Sequence, residues 1–168
     1  MIIRGLLIIV ISSLVFYLFF SPKNEEKSFT VKLPVDWTVD KTREDVDLVA
    51  VAPPSDEEDL FRENMNVVST ELTGEISREE FYRLNQETVE RLLTDFDLED
   101  MQEVDIGGKK GQKISYSHRI GPVNLNVIQY LLLDGLKVYV ITFTSDSFDY
   151  ANSKEQFEQI ASTFALVN

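Results

Sequence analysis

The stretch VNLNVIQYLLLDGLKVYVITFT, residues 123 to 144, decides the fold class of this chain. Two apolar runs, Val123 to Leu133 and Leu136 to Thr144, meet there across Asp134-Gly135. An Asp-Gly pair between such runs is typical of a two-residue β-hairpin turn, because both turn positions need positive φ. Both runs are apolar on their two faces for part of their length, which indicates strands that are covered on both sides. The stretch therefore predicts a hairpin in the middle of a sheet.

Working outward, alternating and apolar runs predict further strands around this hairpin. A second hairpin is expected just upstream, because the turn Gly107-Gly108-Lys109-Lys110-Gly111 separates two strand-like segments. The other strands are predicted near the start of the chain, and Trp37 is expected in a turn between the first two. The predicted segments are Phe29 to Leu33, Val46 to Ala52, Asn64 to Leu72, Met101 to Ile106 and Gln112 to Ile120.

Two helices are predicted, one between the strands and one after them. Ser77 and Glu80 fit a capping box, and an apolar stripe runs from Phe81 to Phe96 at helical spacing. Ser153 and Gln156 are a second capping-box candidate, followed by the apolar positions Phe157, Ile160, Ala161 and Phe164. The order of strands, helix, strands and helix predicts an α+β fold, with a mainly antiparallel sheet flanked by helices.

Composition excludes several classes of protein. The 168 residues include no cysteine, so disulfides, zinc–thiolate sites and cysteine nucleophiles are excluded. The 29 acidic and 16 basic residues give a net charge of -13. Nucleic-acid binding and docking on an anionic membrane through a basic patch both need clustered Lys and Arg, so this charge argues against both.

The N-terminal residues predict a membrane segment. Ile2 to Phe20 is apolar except for Arg4, Ser12 and Ser13, and as a helix it approaches the length that spans a bilayer. The single charge before the apolar core is positive, which predicts a cytoplasmic N-terminus and an extracytoplasmic remainder. Bulky residues where a signal peptidase prefers small ones favour an uncleaved signal-anchor over a cleaved signal peptide. The predicted organisation is a transmembrane signal-anchor at 1–20, a linker at 21–27 and one globular domain at 28–168.

Catalytic and metal-binding motifs are sparse. The one histidine, His118, falls on the strand face of Ile114, Tyr116 and Ile120, which we expect to be inward. A lone histidine without cysteine cannot build a His-based metal site, and no Gly-x-Ser-x-Gly elbow accompanies it. We expect a half-buried His118 bonded to backbone or solvent. A Ser-His-Asp hydrolase stays an alternative.

Other motifs allow two interpretations each. The glycine-rich turn at 107–111 lacks the spacing of a phosphate loop, so it predicts a hairpin turn. Trp37 with Phe29 is expected at a corner of the core, with ligand stacking as the alternative. Asp56-Glu57-Glu58-Asp59 and the set Asp95, Asp97, Glu99 and Asp100 are expected in solvated loops. In the second set, apolar residues interleave with the acids, which also suggests a helix exit that enters a strand; they are Phe96, Leu98 and Met101. Weak binding of a divalent cation such as calcium is the alternative for both acidic stretches.

An ordered set of motifs, each weak alone, carries a family resemblance. In chain order they are Phe29, Pro34 and Trp37; Asn64-Met65-Asn66-Val67; the Ser-initiated helix; the Gly-Lys-Lys-Gly turn; Gln129-Tyr130; Val138 to Thr144; and Phe157, Ile160 and Ser162-Thr163-Phe164. In order and spacing the chain resembles the PsbP-like proteins and their bacterial DcrB-like relatives, over roughly Ser28 to Val167. The resemblance implies an α-β-α sandwich and a non-enzymatic, extracytoplasmic protein tethered to a membrane or associated with a membrane complex.

The resemblance transfers fold and location but no site. No PsbP ion ligand maps to a position of this sequence, and a membrane helix stands where DcrB-like proteins often carry a lipidated cysteine. We therefore predict no catalytic, cofactor-binding or metal-binding residues. The expected function is that of an accessory factor of a membrane or envelope complex, or of a small-ligand binder. A photosystem II-associated extrinsic or assembly factor is the first alternative.

Overall fold

The computed structural model describes residues 28–43, 46–55 and 61–167. They form a seven-stranded sheet, a separate two-stranded ribbon and two helices. The elements are β1 (Phe29–Thr30), β2 (Thr38–Val39), β3 (Leu48–Val51), β4 (Asn64–Glu71), α1 (Arg78–Leu92), β5 (Thr94–Ile106), β6 (Lys109–Ile120), β7 (Val123–Asp134), β8 (Lys137–Asp146), α2 (Tyr150–Ser162) and β9 (Ala165–Leu166).

The predicted hairpin forms the middle of the sheet. Strands β7 and β8 pair in antiparallel register across a two-residue turn at Gly135-Leu136, in which Gly135 has a φ of 63°. The predicted turn at Asp134-Gly135 is one residue off, because Asp134 pairs with Lys137 and does not have positive φ. The strand order is β2-β3-β4-β8-β7-β6-β5, and every pair of neighbours is antiparallel. Because β7 and β8 have strands on both sides and helices above and below, their side chains are almost all buried.

The two helices cover opposite faces of the sheet. Alternate residues of a strand point to opposite faces, so two consecutive residues of β7 show which helix covers each face of the sheet. Ile128 belongs to the core layer that contains Phe157 of α2, whereas Val127 belongs to the layer that contains Phe81 of α1. The α+β class, the antiparallel sheet and the α-β-α sandwich are therefore confirmed for the described residues.

The first helix begins as predicted. Ser77 is its N-cap, and the Ser77 side chain accepts a 3.1 Å hydrogen bond from the backbone N–H of Glu80. The helix ends at Leu92, and Phe96 lies in β5 rather than in the helix. The prediction of a helix reaching Phe96 was wrong, because the chain exchanges helical for extended geometry at Leu93.

Several predicted bounds needed correction. Strand β5 begins at Thr94, seven residues before the predicted start at Met101. The acidic residues of this first part are compatible with a strand because they lie along an exposed edge of the sheet. Helix α2 begins at Tyr150, and Ser153 donates within the first turn to the Asp149 carbonyl, so the predicted capping box is wrong. Strand β1 is short and pairs only with β9, while β2 adds a strand after the turn that ends near Trp37.

The described helices are not membrane helices. None of them is both long and apolar enough to cross a bilayer. The predicted signal-anchor at Ile2 to Phe20 and the linker at 21–27 lie outside the described residues.

Candidate functional site

A set of polar side chains lies where helix α2 packs on strands β5, β6 and β7; we call this set the polar cleft. Lys113 and Ser115 of β6 point to the α2 side, since their register partners Tyr130 and Ile128 of β7 face the α2 core. Tyr150 and Glu158, two turns apart on one flank of α2, face them from above. The cleft is defined here by Lys113, Ser115, Tyr130, Tyr150, Glu158 and, from β5, Glu99.

A lysine and a glutamate form an ion pair at this cleft. The Lys113 ammonium donates to the Glu158 carboxylate, joining β6 to α2. The Lys113 side chain is only 8% exposed, whereas that of Glu158 is 43% exposed. A buried ammonium destabilises the fold unless it is paired, so we infer that Glu158 stabilises the buried ammonium of Lys113.

Two tyrosines of the cleft stay protonated at neutral pH. Burial, with smaller effects from Glu158 and Tyr150, raises the pKa of Tyr130 well above its ordinary value. Burial, followed by the nearby Glu99, raises the pKa of Tyr150 to about 12. Both phenols therefore act as neutral hydrogen-bonding groups rather than as anions or bases.

The floor of the cleft has unused hydrogen-bonding capacity. The hydroxyl oxygens of Ser115 and Tyr150 are buried. Ser115 and Glu99 lie close enough to the Tyr150 hydroxyl to affect its pKa, although neither contact has full hydrogen-bond geometry. Glu99 is held at the rim, where its Oε1 accepts a 2.8 Å hydrogen bond from Asn126 Nδ2. Buried polar groups normally have partners, so the two hydroxyls are positions that a bound polar group or water can satisfy. The arrangement suits recognition of a polar ligand.

The only histidine lies on the opposite face of the sheet. His118 faces the α1 side beside Tyr116, as predicted, with ring centroids 6.1 Å apart. It is 2% exposed, so the expectation of a half-buried histidine was wrong. Neither ring nitrogen makes a hydrogen bond of full geometry, but the Arg119 backbone lies close enough to affect the pKa of the ring, so the expected backbone partner stays a prediction. Burial lowers the pKa of His118, which keeps the ring neutral. His118 contacts neither a serine hydroxyl nor a carboxylate through a hydrogen bond.

The acidic stretches lie elsewhere than predicted. Asp95, Asp97, Glu99 and Asp100 are all in β5, so the expectation of a solvated loop was wrong for them, whereas the suggested helix exit into a strand is confirmed. The stretch Asp56-Glu57-Glu58-Asp59 lies outside the described residues.

A carboxylate cluster that the sequence reading missed lies at the end of β8. Oxygen atoms of Glu63, Asp146 and Asp149 are all within 4.8 Å of one another, a spacing that could hold a divalent cation. The three residues come from two distant segments, so no local spacing could reveal the cluster. Asp146 Oδ1 already accepts the backbone N–H groups of Phe148 and Asp149, each at 3.0 Å.

The remaining motifs are structural. Gly107 and Gly108 form the turn of the β5–β6 hairpin with φ values of 60° and 81°, so the hairpin prediction is confirmed. Trp37 and Phe29 both belong to the α2-side core, where Trp37 packs edge-on against Phe157. The expected core corner is therefore confirmed.

One sequence pattern in β6 could have indicated the polar side chains of the cleft. In β6, polar Lys113, Ser115 and Ser117 alternate with Ile114 and Tyr116. That period of two predicts a strand with one polar face, which would ordinarily be solvent-exposed. The burial of this polar face depends on α2, which arrives from the end of the chain, and no local pattern reports that contact.

Comparison with known proteins supports the fold. No family model matches the chain, and no curated protein matches its sequence. Among solved structures, the chain is similar to LpqN of Mycobacterium tuberculosis, described as involved in cell envelope biogenesis. The identity is 15%, the TM-score is 0.67, and 87% of each chain is covered.

Two further solved structures are similar. Cyanobacterial PsbP (CyanoP) from Synechocystis sp. PCC 6803 matches at 14% identity and a TM-score of 0.60, covering 83% of this chain and 86% of that one. The protein PA94 of Pseudomonas aeruginosa matches at 14% identity and a TM-score of 0.62, covering 82% and 96%. The chain therefore has a PsbP-like fold, as the resemblance implied, while its relation to DcrB-like proteins stays a prediction.

Proposed function

We propose that this chain is a non-enzymatic binding protein, anchored in the membrane through Ile2 to Phe20, whose PsbP-like domain serves an extracytoplasmic membrane or envelope complex. The observation that carries the binding role is the polar cleft beneath α2. There the buried hydroxyls of Ser115 and Tyr150 lie close to each other and to Glu99, beside the Lys113–Glu158 ion pair. The similarity to LpqN, a protein of cell envelope biogenesis, supports an envelope role.

The chemistry of the cleft favours binding over catalysis. Nucleophilic catalysis needs a nucleophile within hydrogen-bond reach of a base. Tyr130 and Tyr150 have raised pKa values, Lys113 is held in an ion pair, and the only histidine is on the other face of the sheet. These groups can orient and recognise a polar molecule, which is the task we assign to them.

Site-specific photocrosslinking in intact cells tests the binding role. Lys154 is exposed and lies on α2 between Tyr150 and Glu158, at helical spacing, so a benzoylphenylalanine placed there reports on the cleft. The same probe at Glu87, exposed on α1 across the sheet, is the matched control. We expect a discrete adduct from position 154 that is absent from position 87 and weakened by Ser115→Val. Equal adducts from both positions, or none from 154 at normal expression, would contradict the proposal.

The proposed orientation has its own test. Protease added to spheroplasts should degrade the globular domain while the cells stay intact. A domain that is shielded until lysis would refute the extracytoplasmic location. A chain released from the membrane fraction, with a mature N-terminus near Ser21, would refute the anchor.

The photosystem alternative is favoured by one observation, the likeness to cyanobacterial PsbP. Chlorophyll-binding genes in the source genome, and co-purification with photosystem II after crosslinking at position 154, would support it. A source without such genes would remove it.

Weak divalent-cation binding is a secondary proposal, supported by the spacing of Glu63, Asp146 and Asp149. Ligands that bind only the folded state raise its stability by mass action. Calcium chloride should therefore raise the melting temperature of the natural chain more than that of Asp149→Asn. Glu90→Gln, a change on the exposed face of α1, is the control. Identical shifts in all three proteins would show ionic-strength effects alone.

A further inference from the structure

Strand β5 is a long, open edge of the sheet. It runs for 13 residues and pairs with β6 on one side, while no other strand of the described residues pairs with its second side. In an antiparallel strand, about half of the backbone N–H and C=O groups point to each side. Nearly all of its residues are exposed. The outer side of β5 is therefore a row of backbone donors and acceptors that an extended chain can pair with.

Both faces of this edge carry carboxylates and apolar side chains. Leu98 and Met101 face the α1 side, because their register partners are Tyr116 and Ile114, and they are 37% and 45% exposed. Asp97 and Asp100 face the α2 side, opposite Ser117 and Ser115. Farther along β5, Glu103 and Asp105 lie on the α1 side, and Val104 and Ile106 lie on the α2 side. A segment added beside β5 would therefore meet carboxylates on both faces.

The negative charge of β5 disfavours pairing with a second copy of this edge and favours pairing with a basic segment. Six carboxylates lie in β5, at positions 95, 97, 99, 100, 103 and 105. Two of them are paired with cations, Asp95 with Arg119 and Glu103 with Lys110, which leaves an excess of four negative charges. A second copy of this edge would bring like charges together, which is destabilising in directly opposed pairs. A segment bearing Lys or Arg is attracted instead.

We propose that β5 docks an extended segment of a partner protein that is rich in basic residues, by adding it as an eighth strand. Its basic side chains lie over Asp97 and Asp100 on the α2 side and over Asp105 on the α1 side. Main-chain hydrogen bonds supply affinity in this mode, and the alternating side chains supply specificity. The inference rests on the proposed function, since it names the partner chemistry of a binding protein.

The register of β5 sets the length of the docked segment. Two irregularities interrupt its pairing with β6, between Thr94 and Asp97 and between Leu98 and Asp100. From Asp100 to Ile106 the pairing is continuous, so this part is a regular template of seven residues. Bulges of this kind limit pairing at sheet edges. A heptapeptide is therefore the smallest probe that covers the regular part.

A synthetic peptide tests the proposal. The probe is acetyl-Lys-Val-Lys-Val-Lys-Val-Lys-amide, added to the domain spanning residues 28–168 or to the full chain in detergent, with binding measured by calorimetry. Amide hydrogen exchange locates the bound peptide. We expect saturable binding that weakens as salt is raised, and slowing of the outward amides of Asp100 to Ile106 by about tenfold or more.

Matched controls separate strand pairing from simple charge attraction. The same peptide with alternate backbone nitrogens methylated keeps its charge but cannot pair, so its binding should be lost. Charge reversal by Asp97→Lys with Asp100→Lys should weaken binding by about tenfold or more. The control variant, Glu75→Lys with Glu90→Lys, makes the same change of charge on exposed positions outside β5 and should bind within about twofold of the natural chain.

Three results would overturn the proposal: no binding to the folded natural chain, equal binding of the methylated peptide, or protection that falls outside β5. Folding of each variant is checked by its circular dichroism spectrum and melting temperature. Ser115→Val, which alters the cleft but not the edge, should bind the peptide normally. Loss of peptide binding with crosslinking from position 154 intact would refute the docking edge and leave the proposed function standing, and the reverse result would do the opposite.

Discussion

Asn85 in the middle of α1 donates a 2.9 Å hydrogen bond from its Nδ2 to Gln129 Oε1 in the middle of β7. Gln129 is fully buried and in turn donates from Nε2 to Thr142 Oγ1 of β8 at 3.3 Å. The helix is thus attached to the sheet by a polar link as well as by the apolar contacts of Phe81 and Val89. A polar link of this kind fixes one position of α1 along the sheet, because a sliding helix would leave the amides unpaired.

Replacing Asn85 by Leu should destabilise the fold by roughly 1–3 kcal/mol, because the Oε1 atom of Gln129 stays buried and loses its donor. The double variant Asn85→Leu with Gln129→Leu should recover part of that loss. Urea unfolding of the two single variants and the double variant measures the coupling energy. Additive losses in the double variant would show that the two amides do not stabilise each other.

The ion pair of the cleft should be asymmetric in its contribution to stability. Glu158→Gln leaves the ammonium of Lys113 buried without its carboxylate, so we expect a loss of about 2–4 kcal/mol. Lys113→Met leaves Glu158 able to reach water, so the loss should be smaller, about 1 kcal/mol or less. Chemical denaturation at neutral pH compares the two, with Glu90→Gln as a surface control. A larger loss for Lys113→Met would contradict this assignment of burial.

Acid should weaken the fold through His118 before the carboxylates protonate. Burial lowers the pKa of His118 below its ordinary value of 6.5, so the unfolded chain takes up a proton that the folded chain resists. The stability from this neutral histidine is complete above pH 6.5 and falls as the pH drops below that value. The slope should reach at most about 1.4 kcal/mol per pH unit.

The test is the stability of the natural chain and of His118→Phe between pH 7.5 and 5. The variant keeps a ring of similar shape without titrating, so its stability should change less over this range. Parallel pH curves for the two proteins would rule out His118 as the source of acid sensitivity.

Gly111 should be intolerant of any side chain. A Cβ atom there would lie 2.4 Å from Ile106 Cδ1 and 2.7 Å from the carbonyl oxygen of Leu131. We expect Gly111→Ala to cost about 2 kcal/mol or more, because the backbone of β7 must move. Gly74→Ala is the matched control, since nothing lies within 4 Å of its Cβ position, and it should change stability by less than about 1 kcal/mol. Thermal unfolding compares the two variants.

The parts of the fold that the sequence predicted are those with a local cause. The β7–β8 turn needs positive φ at Gly135, and the serine at position 77 caps α1 through a group three residues away. In each case the interacting groups belong to residues only a few positions apart in the sequence. The apolar residues on both faces of β7 and β8 likewise predict that these two strands are covered on both sides.

The misplaced parts depend on distant contacts. The acidic pattern from Asp95 to Asp100 reads as a loop, yet β6 holds it as a strand. Lys113 and Ser115 read as a solvent-exposed face, yet α2 covers them. Glu63 and Asp149 are brought together only when β4 pairs with β8. The candidate site was missed for that reason, since all of its contacts join elements far apart in the chain.

The ribbon of β1 and β9 brings the first and last described segments together, with the backbone N–H of Val167 donating to the Ser28 carbonyl at 2.9 Å. A fluorophore attached at 167 would therefore report the position of residue 28. The two ends could also be fused through a short glycine–serine bridge and the chain reopened at Gly121-Pro122. Such a circular permutant should fold. Its new termini at 121 and 122 would allow the domain, with its acidic strand β5, to be attached from a different side.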